Sequence, residues 1–200
     1  MHPQPLDVPM VLASGSPRRK ELLDLMGVPF EAVSLDTDED CEGAPQERVC
    51  LLANRKAEAA LSLYRGRLIL AADTLVARGG RVLGKPSSIE DAVHMLLTLS
   101  GGWHDVYTGV CILDGLSGRK EVAFDRTRVR FSELTEPLAR MYVQTGEPMD
   151  KAGAYAIQGR GGMFVEEIRG SASNVVGLPM ALVRKMLSGF GVSVLYRLDV

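Results

Sequence analysis

Residues 10–23 read MVLASGSPRRKELL, and this stretch decides the fold because it predicts a strand, a tight turn and a helix in immediate succession. The apolar run Met10–Ala13 predicts a short buried strand, and the small residues 14–16 predict a turn. Ser16 is a favourable N-cap and Pro17 suits the first helical position. A strand that leads through such a turn into a helix N-terminus presents backbone N–H groups to an anion.

Three basic residues, Arg18, Arg19 and Lys20, follow this turn although positive charge is unfavourable near the positive end of a helix dipole. One interpretation is that these side chains are simply solvated. The other is that Arg18 and Arg19 add fork-shaped donors to a polyphosphate site that includes the turn residues Ser14 and Ser16. The segment is neither a P-loop nor a G-x-G-x-x-G turn, because both patterns are absent.

The whole chain has the composition of a soluble globular protein, with 200 residues, 46% apolar and 24% charged residues, and a formal charge of −2. This length predicts one domain over residues 1–200, or two small lobes that share a core. The charge argues against a partner that is a nucleic-acid polymer, and no apolar run is long enough to span a membrane. The first ten residues do not resemble a signal peptide. Three widely spaced cysteines without a C-x-x-C motif predict free thiols in a reducing cytoplasm.

Predicted helices and strands alternate along the chain, which indicates an α/β fold with a mixed sheet. Strands are expected over 10–13, 28–35, 68–72, 104–113, 121–131 and 163–168, and helices from residue 17 to Gly27 and over 46–64, 88–99, 136–145 and around 182–187. A hairpin is predicted to turn at 78–81, and Ser87 and Glu90 match a capping box at the start of the third helix.

Lys56 interrupts the apolar face of the predicted helix 46–64. It lies seven residues after Val49 and four before Ala60, and two helical turns return it to the same face. A lysine at such a position either extends its ammonium to the solvent at the rim or directs it at a partner inside a cleft.

Asp73 follows the apolar run 68–72, and ligands of α/β proteins gather at the carboxyl ends of strands. A carboxylate there can bind a metal or deprotonate a water, or it can cap its own turn. The acidic segment 36–42, which includes Glu39, is either a solvated loop or the source of a second carboxylate. The histidines at positions 2, 94 and 104 have no metal-ligand spacing, so a metal is expected to be oxygen-ligated Mg²⁺ or Mn²⁺ rather than zinc.

The segment DKAGAYAIQG, residues 150–159, is rich in small residues and contains Gln158. The Gln158 amide can form two hydrogen bonds to the edge of uracil or thymine, or it can be a structural residue of a glycine-rich loop. Lys85 precedes a proline-stiffened turn in the short segment GKP, residues 84–86, and taken alone it carries little information.

Together these segments resemble the Maf family of nucleoside triphosphate pyrophosphatases. The matching segments follow the family order and are LASGSPRRKELL (12–23), the Glu39 region, Lys56 in NRKAEAA, AADT (71–74), GKP (84–86), SGGWHDVYTGV (100–110), DKAGAYAIQG (150–159) and GSASNVVGLP (170–179). The segment 150–159 resembles the subgroup that acts on dTTP and UTP rather than the subgroup that acts on N7-methyl-GTP.

The resemblance implies an elongated α/β fold similar to that of inosine-triphosphate pyrophosphatases, with a cleft between two lobes and commonly a homodimer. It implies hydrolysis between the α and β phosphates, with Asp73 as proton acceptor. It assigns substrate specificity to three positions and further active-site roles to four, namely Arg18, Thr74 and Gln158, and Arg19, Glu39, Lys56 and Lys85. A divalent cation (Mg²⁺, Mn²⁺ or Co²⁺) held by Glu39, Asp73 or both would polarise the phosphoryl oxygens.

Two other functions remain open at this stage. A nucleotidyltransferase can begin with a similar glycine-containing turn and a basic residue on a triphosphate. A regulatory protein that senses nucleotides is the other alternative, since the family is linked with inhibition of septum formation.

Overall fold

A computed structural model describes residues 8–194, which contain both helices and strands. The seven strands found there are β1 Met10–Ala13, β2 Phe30–Val33, β3 Leu68–Arg78, β4 Arg81–Leu83, β5 Trp103–Asp114, β6 Lys120–Phe131 and β7 Val165–Arg169. The six α-helices in the same range are α1 Pro17–Leu25, α2 Pro45–Leu61, α3 Ile89–Leu99, α4 Glu136–Val143, α5 Ala172–Val176 and α6 Met180–Gly189. His2 and most of the segment tested for a signal peptide lie outside the described residues.

The strands form one seven-stranded mixed sheet in the order β2-β1-β3-β5-β6-β7, with β4 paired to β3. β1 runs parallel to both β2 and β3, whereas β4 is antiparallel to β3 and β7 is antiparallel to β6. The predicted α/β class with a mixed sheet is therefore confirmed, as is the hairpin turn between β3 and β4. No helix within residues 8–194 has the length and apolarity needed to cross a membrane.

The chain divides into two compact units, and boundaries between them fall within the strands β3, β5 and β6. The first unit holds the chain up to Asp73, the segment Thr108–Asp125 and the chain from Gly177 onward. The second unit holds Thr74–Tyr107 and Arg126–Val176. A single domain over residues 1–200 stays a prediction.

Each unit has its own core. In the first, buried alanines of α2 pack on small and branched residues of the sheet, and the cluster comprises Val11, Ala13, Ala53, Ala57, Ala60, Ile69, Ala71, Cys111 and Leu113. In the second, aromatic rings meet edge to face around Phe131, whose ring centroid lies 4.7 Å from that of Tyr155 and 4.9 Å from that of His104.

The turn that opens the chain forms as predicted. Ser16 has extended backbone angles, Pro17 begins α1, and Gly27 follows the helix with a φ of +65°. The Ser16 side chain makes no capping hydrogen bond. Its backbone N–H instead donates to Oγ of Ser14 at 3.2 Å, so Ser14 closes the turn.

The predicted capping box of the third helix is displaced by one residue. α3 begins at Ile89, and the cap is Ser88, whose Oγ accepts from the backbone N–H of Asp91 at 3.1 Å. The Asp91 carboxylate accepts in return from the backbone N–H of Ser87 at 2.8 Å. The shorter aspartate replaces Glu90 in the reciprocal bond, and the Glu90 carboxylate is paired with Arg140.

Candidate functional site

Arg19 is the anchor of the β1–α1 turn within the first unit. Its Nε donates to the carbonyl oxygen of Gly177 at 2.8 Å, and its Nη1 donates to Oγ of Ser14 at 3.2 Å. Burial lowers the pKa of Arg19, as does the neighbouring Arg18, while the charges of Asp73 and Glu39 oppose that shift. The guanidinium is thus held in a fixed place, and two carboxylates lie close enough to influence it.

Lys56 directs its ammonium inward, toward Asp73 and Glu39, and not to the solvent. Its Nζ lies 2.5 Å from Oδ1 of Asp73 and 2.9 Å from Oε1 of Glu39. The side chains of Lys56 and Asp73 are only 16% and 11% exposed, which excludes an ammonium that extends to the rim. Two carboxylates from distant parts of the chain therefore meet at one cation.

Asp73 does not end its strand, contrary to the sequence prediction. β3 continues through it to Arg78, because the residues after Asp73 pair with β4. The pairing of β3 with β1 stops at Leu70, opposite Leu12, and β1 itself ends at Ala13. Asp73 thus lies within β3 but past the carboxyl end of β1.

Arg55, next to Lys56, holds the acidic loop against α2. Its Nη1 donates to the carbonyl oxygens of Asp38 and Asp40 at 3.1 Å and 2.8 Å. These bonds fix the backbone on both sides of Glu39, which explains how an exposed loop places one carboxylate beside the Lys56 ammonium. The sequence analysis did not single out Arg55, because nothing in the local sequence pairs it with a loop 15 and 17 residues away.

The second unit contains the remaining predicted residues, Thr74, Lys85 and Gln158. Thr74 is half-buried in β3, and Lys85 and Gln158 are exposed. The backbone N–H of Gly153 donates to the carbonyl oxygen of Gly84 at 3.0 Å, so segment 150–159 is fastened to the residue before Lys85. This places the segments of Lys85 and Gln158 in one loop system of the second unit.

Sequence reasoning missed two groups that hold predicted site residues or their loops in place. One is the carbonyl of Gly177, for which the sequence carries no signal because any residue has a carbonyl. The other is Glu147, whose carboxylate accepts from the backbone N–H groups of Arg160 and Gly161 at 3.1 Å each. The separation of 13 and 14 residues leaves no periodic pattern from which this contact could be predicted.

Two carboxylates at one point fit a hard divalent cation in their donor chemistry. Mg²⁺ is usually held by one or two carboxylates, with substrate phosphates and waters as the other ligands. Asp73 and Glu39 supply that number of oxygen donors, and both already converge on a positive charge. Within residues 8–194 no group of three or more His, Cys, Asp or Glu side chains is arranged to hold a metal.

These features define an α/β protein in which a strand–turn–helix N-terminus lies among basic and acidic side chains, an arrangement suited to anions. The family model described as "Maf-like protein" matches residues 9–190. The chain belongs to the Maf family.

Curated relatives cover nearly the whole chain. A protein of Pelotomaculum thermopropionicum named dTTP/UTP pyrophosphatase is 48% identical over 188 residues, which are 93% of this chain and 98% of the relative. Proteins of Moorella thermoacetica and Anaeromyxobacter dehalogenans with the same name are each 49% identical, and the alignments cover 92% and 91% of this chain and 96% and 94% of those relatives. The resemblance of the chain to the dTTP and UTP subgroup is thereby confirmed.

Proposed function

We propose that this protein hydrolyses dTTP and UTP between the α and β phosphates, yielding the nucleoside monophosphate and pyrophosphate. The observation that carries the proposal is the inward ammonium of Lys56, held by Asp73 and Glu39 in the same unit as the half-buried Arg19. The names of relatives at 48–49% identity over more than nine-tenths of the chain support the same reaction.

The chain's own groups divide into phosphate binders and a base. Arg18, Arg19 and the N–H groups of the β1–α1 turn bind phosphate oxygens, and Lys56 adds a further positive charge. Asp73 orients a water and accepts its proton as the water oxygen bonds to the α phosphorus, the bond from that phosphorus to the bridging oxygen breaks, and pyrophosphate leaves. The family resemblance assigns Thr74 to substrate specificity and Lys85 to a further role in the active site. Catalysis then rests on positioning and on stabilisation of developing charge.

A divalent cation is expected to be required, with Asp73 and Glu39 as the residues that would hold it. When bound, such an ion neutralises phosphate charge and lowers the pKa of a coordinated water. We expect EDTA to abolish turnover and Mg²⁺, Mn²⁺ or Co²⁺ to restore it. Undiminished turnover after exhaustive chelation would contradict this part of the proposal.

Gln158 is proposed to read the base. Uracil and thymine present O4 beside N3–H, and an amide offers the matching donor and acceptor, whereas a carboxylate has no proton to donate to O4. Gln158→Glu should lower kcat/KM for dTTP and UTP by about tenfold to a hundredfold, the scale of one buried group left unsatisfied. CTP carries an amino group at position 4 and should lose less. An equal loss for all three nucleotides would show that Gln158 does not read the base.

Two alternatives are distinguished by one assay of a nucleotide panel that includes N7-methyl-GTP. A nucleotidyltransferase needs a second substrate, whereas the proposed hydrolase consumes dTTP alone. A protein that only senses nucleotides binds dTTP without turnover. Loss of turnover in a folded Asp73→Asn variant would tie the activity to this site, and the names of the relatives favour hydrolysis over both alternatives.

We also propose a homodimer, which the family resemblance supports, and a cytoplasmic location, which the three free cysteines support. Light scattering during size-exclusion chromatography tests the dimer directly, since a monomer has a mass of 21.7 kDa.

A further inference from the structure

The segment that carries Gln158 has little regular structure of its own. It passes through short 3-10 turns at Glu147–Asp150, Ala152–Ala154 and Arg160–Phe164. Gly153 and Ala154 both have positive φ, of 71° and 56°, and the second is a strained conformation for a residue with a side chain. A loop of this kind keeps one shape only when groups outside its own backbone hold it.

Glu147 and Tyr142 supply such groups on both sides of Gln158. The Glu147 carboxylate accepts from the backbone N–H groups of Arg160 and Gly161, and from the hydroxyl of Tyr142 at 2.7 Å. The Tyr142 hydroxyl in turn accepts from the backbone N–H of Ala156 at 3.1 Å. One continuous set of four hydrogen bonds therefore fixes the backbone two residues before Gln158 and two and three residues after it.

The packing at Gly159 and Gly161, on either side of Arg160, shows how closely the Glu147 carboxylate and the Tyr142 hydroxyl fit the loop. A Cβ at Gly159 would lie 2.5 Å from Oε1 of Glu147, and a Cβ at Gly161 would lie 2.6 Å from the Tyr142 hydroxyl oxygen. The glycines leave no room for side chains because the holding groups occupy that space.

The charge state of the pair suits this task. Burial opposes ionisation of Glu147, but the hydrogen bonds from Tyr142, Gly161 and Arg160 outweigh it, and the pKa of Glu147 lies below its usual value. Burial, and next the bond to Glu147, raise the pKa of Tyr142. At neutral pH the carboxylate therefore accepts and the hydroxyl still has its proton to donate.

We propose that Glu147, with Tyr142, is a positioning residue that sets the base preference of the enzyme by fixing the loop of Gln158. This inference rests on the proposed function, in which Gln158 reads the uracil or thymine edge. Glu147 acts through the backbone and touches no reacting atom, so its loss should affect recognition of the base more than the chemical step.

The test uses Glu147→Gln in the full-length protein, with Glu133→Gln as a control at an exposed glutamate of the same unit. A neutral amide replaces charge-assisted acceptance from two N–H groups, so amide hydrogen exchange at Arg160 and Gly161 should accelerate at least about tenfold. The kcat/KM for dTTP and UTP should fall about tenfold through KM, with kcat nearly unchanged and CTP affected less than threefold. The control should match the wild type in both measurements.

Tyr142→Phe provides a second variant, which removes the hydroxyl and keeps the ring. It should shift the ratio of kcat/KM for dTTP over CTP in the same direction by a smaller factor, and it carries the test if Glu147→Gln does not fold. An unchanged dTTP to CTP ratio in these variants, while Gln158→Glu alters it, overturns the inference and leaves the proposed function intact. An unchanged ratio in Gln158→Glu as well overturns both assignments.

Discussion

At the residue scale, the carboxylate of Asp73 is buried against the ammonium of Lys56, and each charge compensates the other. Asp73 as a whole residue is only 8% exposed, and a carboxylate that is so buried needs a positive partner. The contact also holds the carboxylate of Asp73, the proposed proton acceptor, in one place. One ion pair thus contributes to the stability of the first unit and to the placement of the proposed base.

Lys56→Ala should reduce turnover by at least about a hundredfold, because a charge aimed at the phosphates is lost. The free energy of unfolding should fall by about 1–3 kcal/mol, since Asp73 loses its hydrogen-bonded cation. Combining Lys56→Ala with Asp73→Asn should recover part of that stability and none of the activity. Urea unfolding and kcat/KM for dTTP test both expectations, and normal turnover in the less stable single variant would make Lys56 a structural residue.

His104 connects the stability of the second unit to pH. It is buried, its Nε2 is hydrogen-bonded to the hydroxyl of Tyr155 at 2.9 Å, and within residues 8–194 its Nδ1 has no hydrogen-bond partner. Burial, and next the charge of Arg78, lower the pKa of His104 to about 4. The unfolded chain, with a histidine pKa of about 6.5, therefore binds a proton in a range where the folded protein does not.

The contribution of His104 to the free energy of unfolding is therefore fully present above pH 6.5, and it is lost as the pH falls from there toward 4. The free energy of unfolding should decrease by up to about 3 kcal/mol across this window. His104→Gln should abolish this slope, and the loss below pH 4.5 from carboxylates such as Glu147 should remain. Urea unfolding at half-unit pH intervals measures both proteins, and identical slopes would show that His104 is not the responsible group.

At the scale of elements, α2 packs on β5 through a close approach of two backbones. A Cβ at Gly109 would lie 2.2 Å from the carbonyl oxygen of Val49 and 2.7 Å from the backbone nitrogen of Cys50. Both atoms belong to the helix backbone, which cannot move like the end of a side chain. This approach sets the height of α2 above the sheet and with it the place of Lys56.

Gly109→Ala should therefore lower the free energy of unfolding by about 1–3 kcal/mol, the usual cost of overpacking. Gly84→Ala is the matched control, because within residues 8–194 no atom outside Gly84 and its two chain neighbours lies within 4 Å of its Cβ position, and its φ is not positive. Urea denaturation of both variants gives the comparison. Equal stability of the two would mean that α2 is free to shift.

Elements defined by local signals were predictable from the sequence. The β1–turn–α1 segment needed only an apolar run, small residues and Ser16-Pro17, and it forms with those bounds. The single-residue error at Ser87 arose because Ser87 and Ser88 are both good N-caps and both are followed by an acidic residue at the third position. The choice between them depends on packing of the helix, which local sequence does not encode.

At the scale of the whole molecule, the site required contacts that no sequence window contains. The apolar face of α2 predicted that Lys56 would point inward or to the rim, but only the sheet order decided between the two. Asp73 lies in β3, and Glu39 lies in a loop that Arg55 fixes. Both carboxylates that pair with Lys56 are therefore 17 residues from it in the sequence and reach it only in the folded structure. The residue types that meet at Lys56 were therefore predictable, and their geometry was not.

We propose above that this chain cleaves a pyrimidine nucleoside triphosphate at the bond between its α and β phosphates with water as the only second reactant. ³¹P NMR of dTTP incubated with the enzyme and Mg²⁺, in the absence of any other substrate, tests this reaction. We expect dTMP and pyrophosphate to appear in equal amounts with the wild-type protein, and neither product with Asp73→Asn. Formation of dTDP and orthophosphate, or consumption of dTTP only when an acceptor is added, would contradict it.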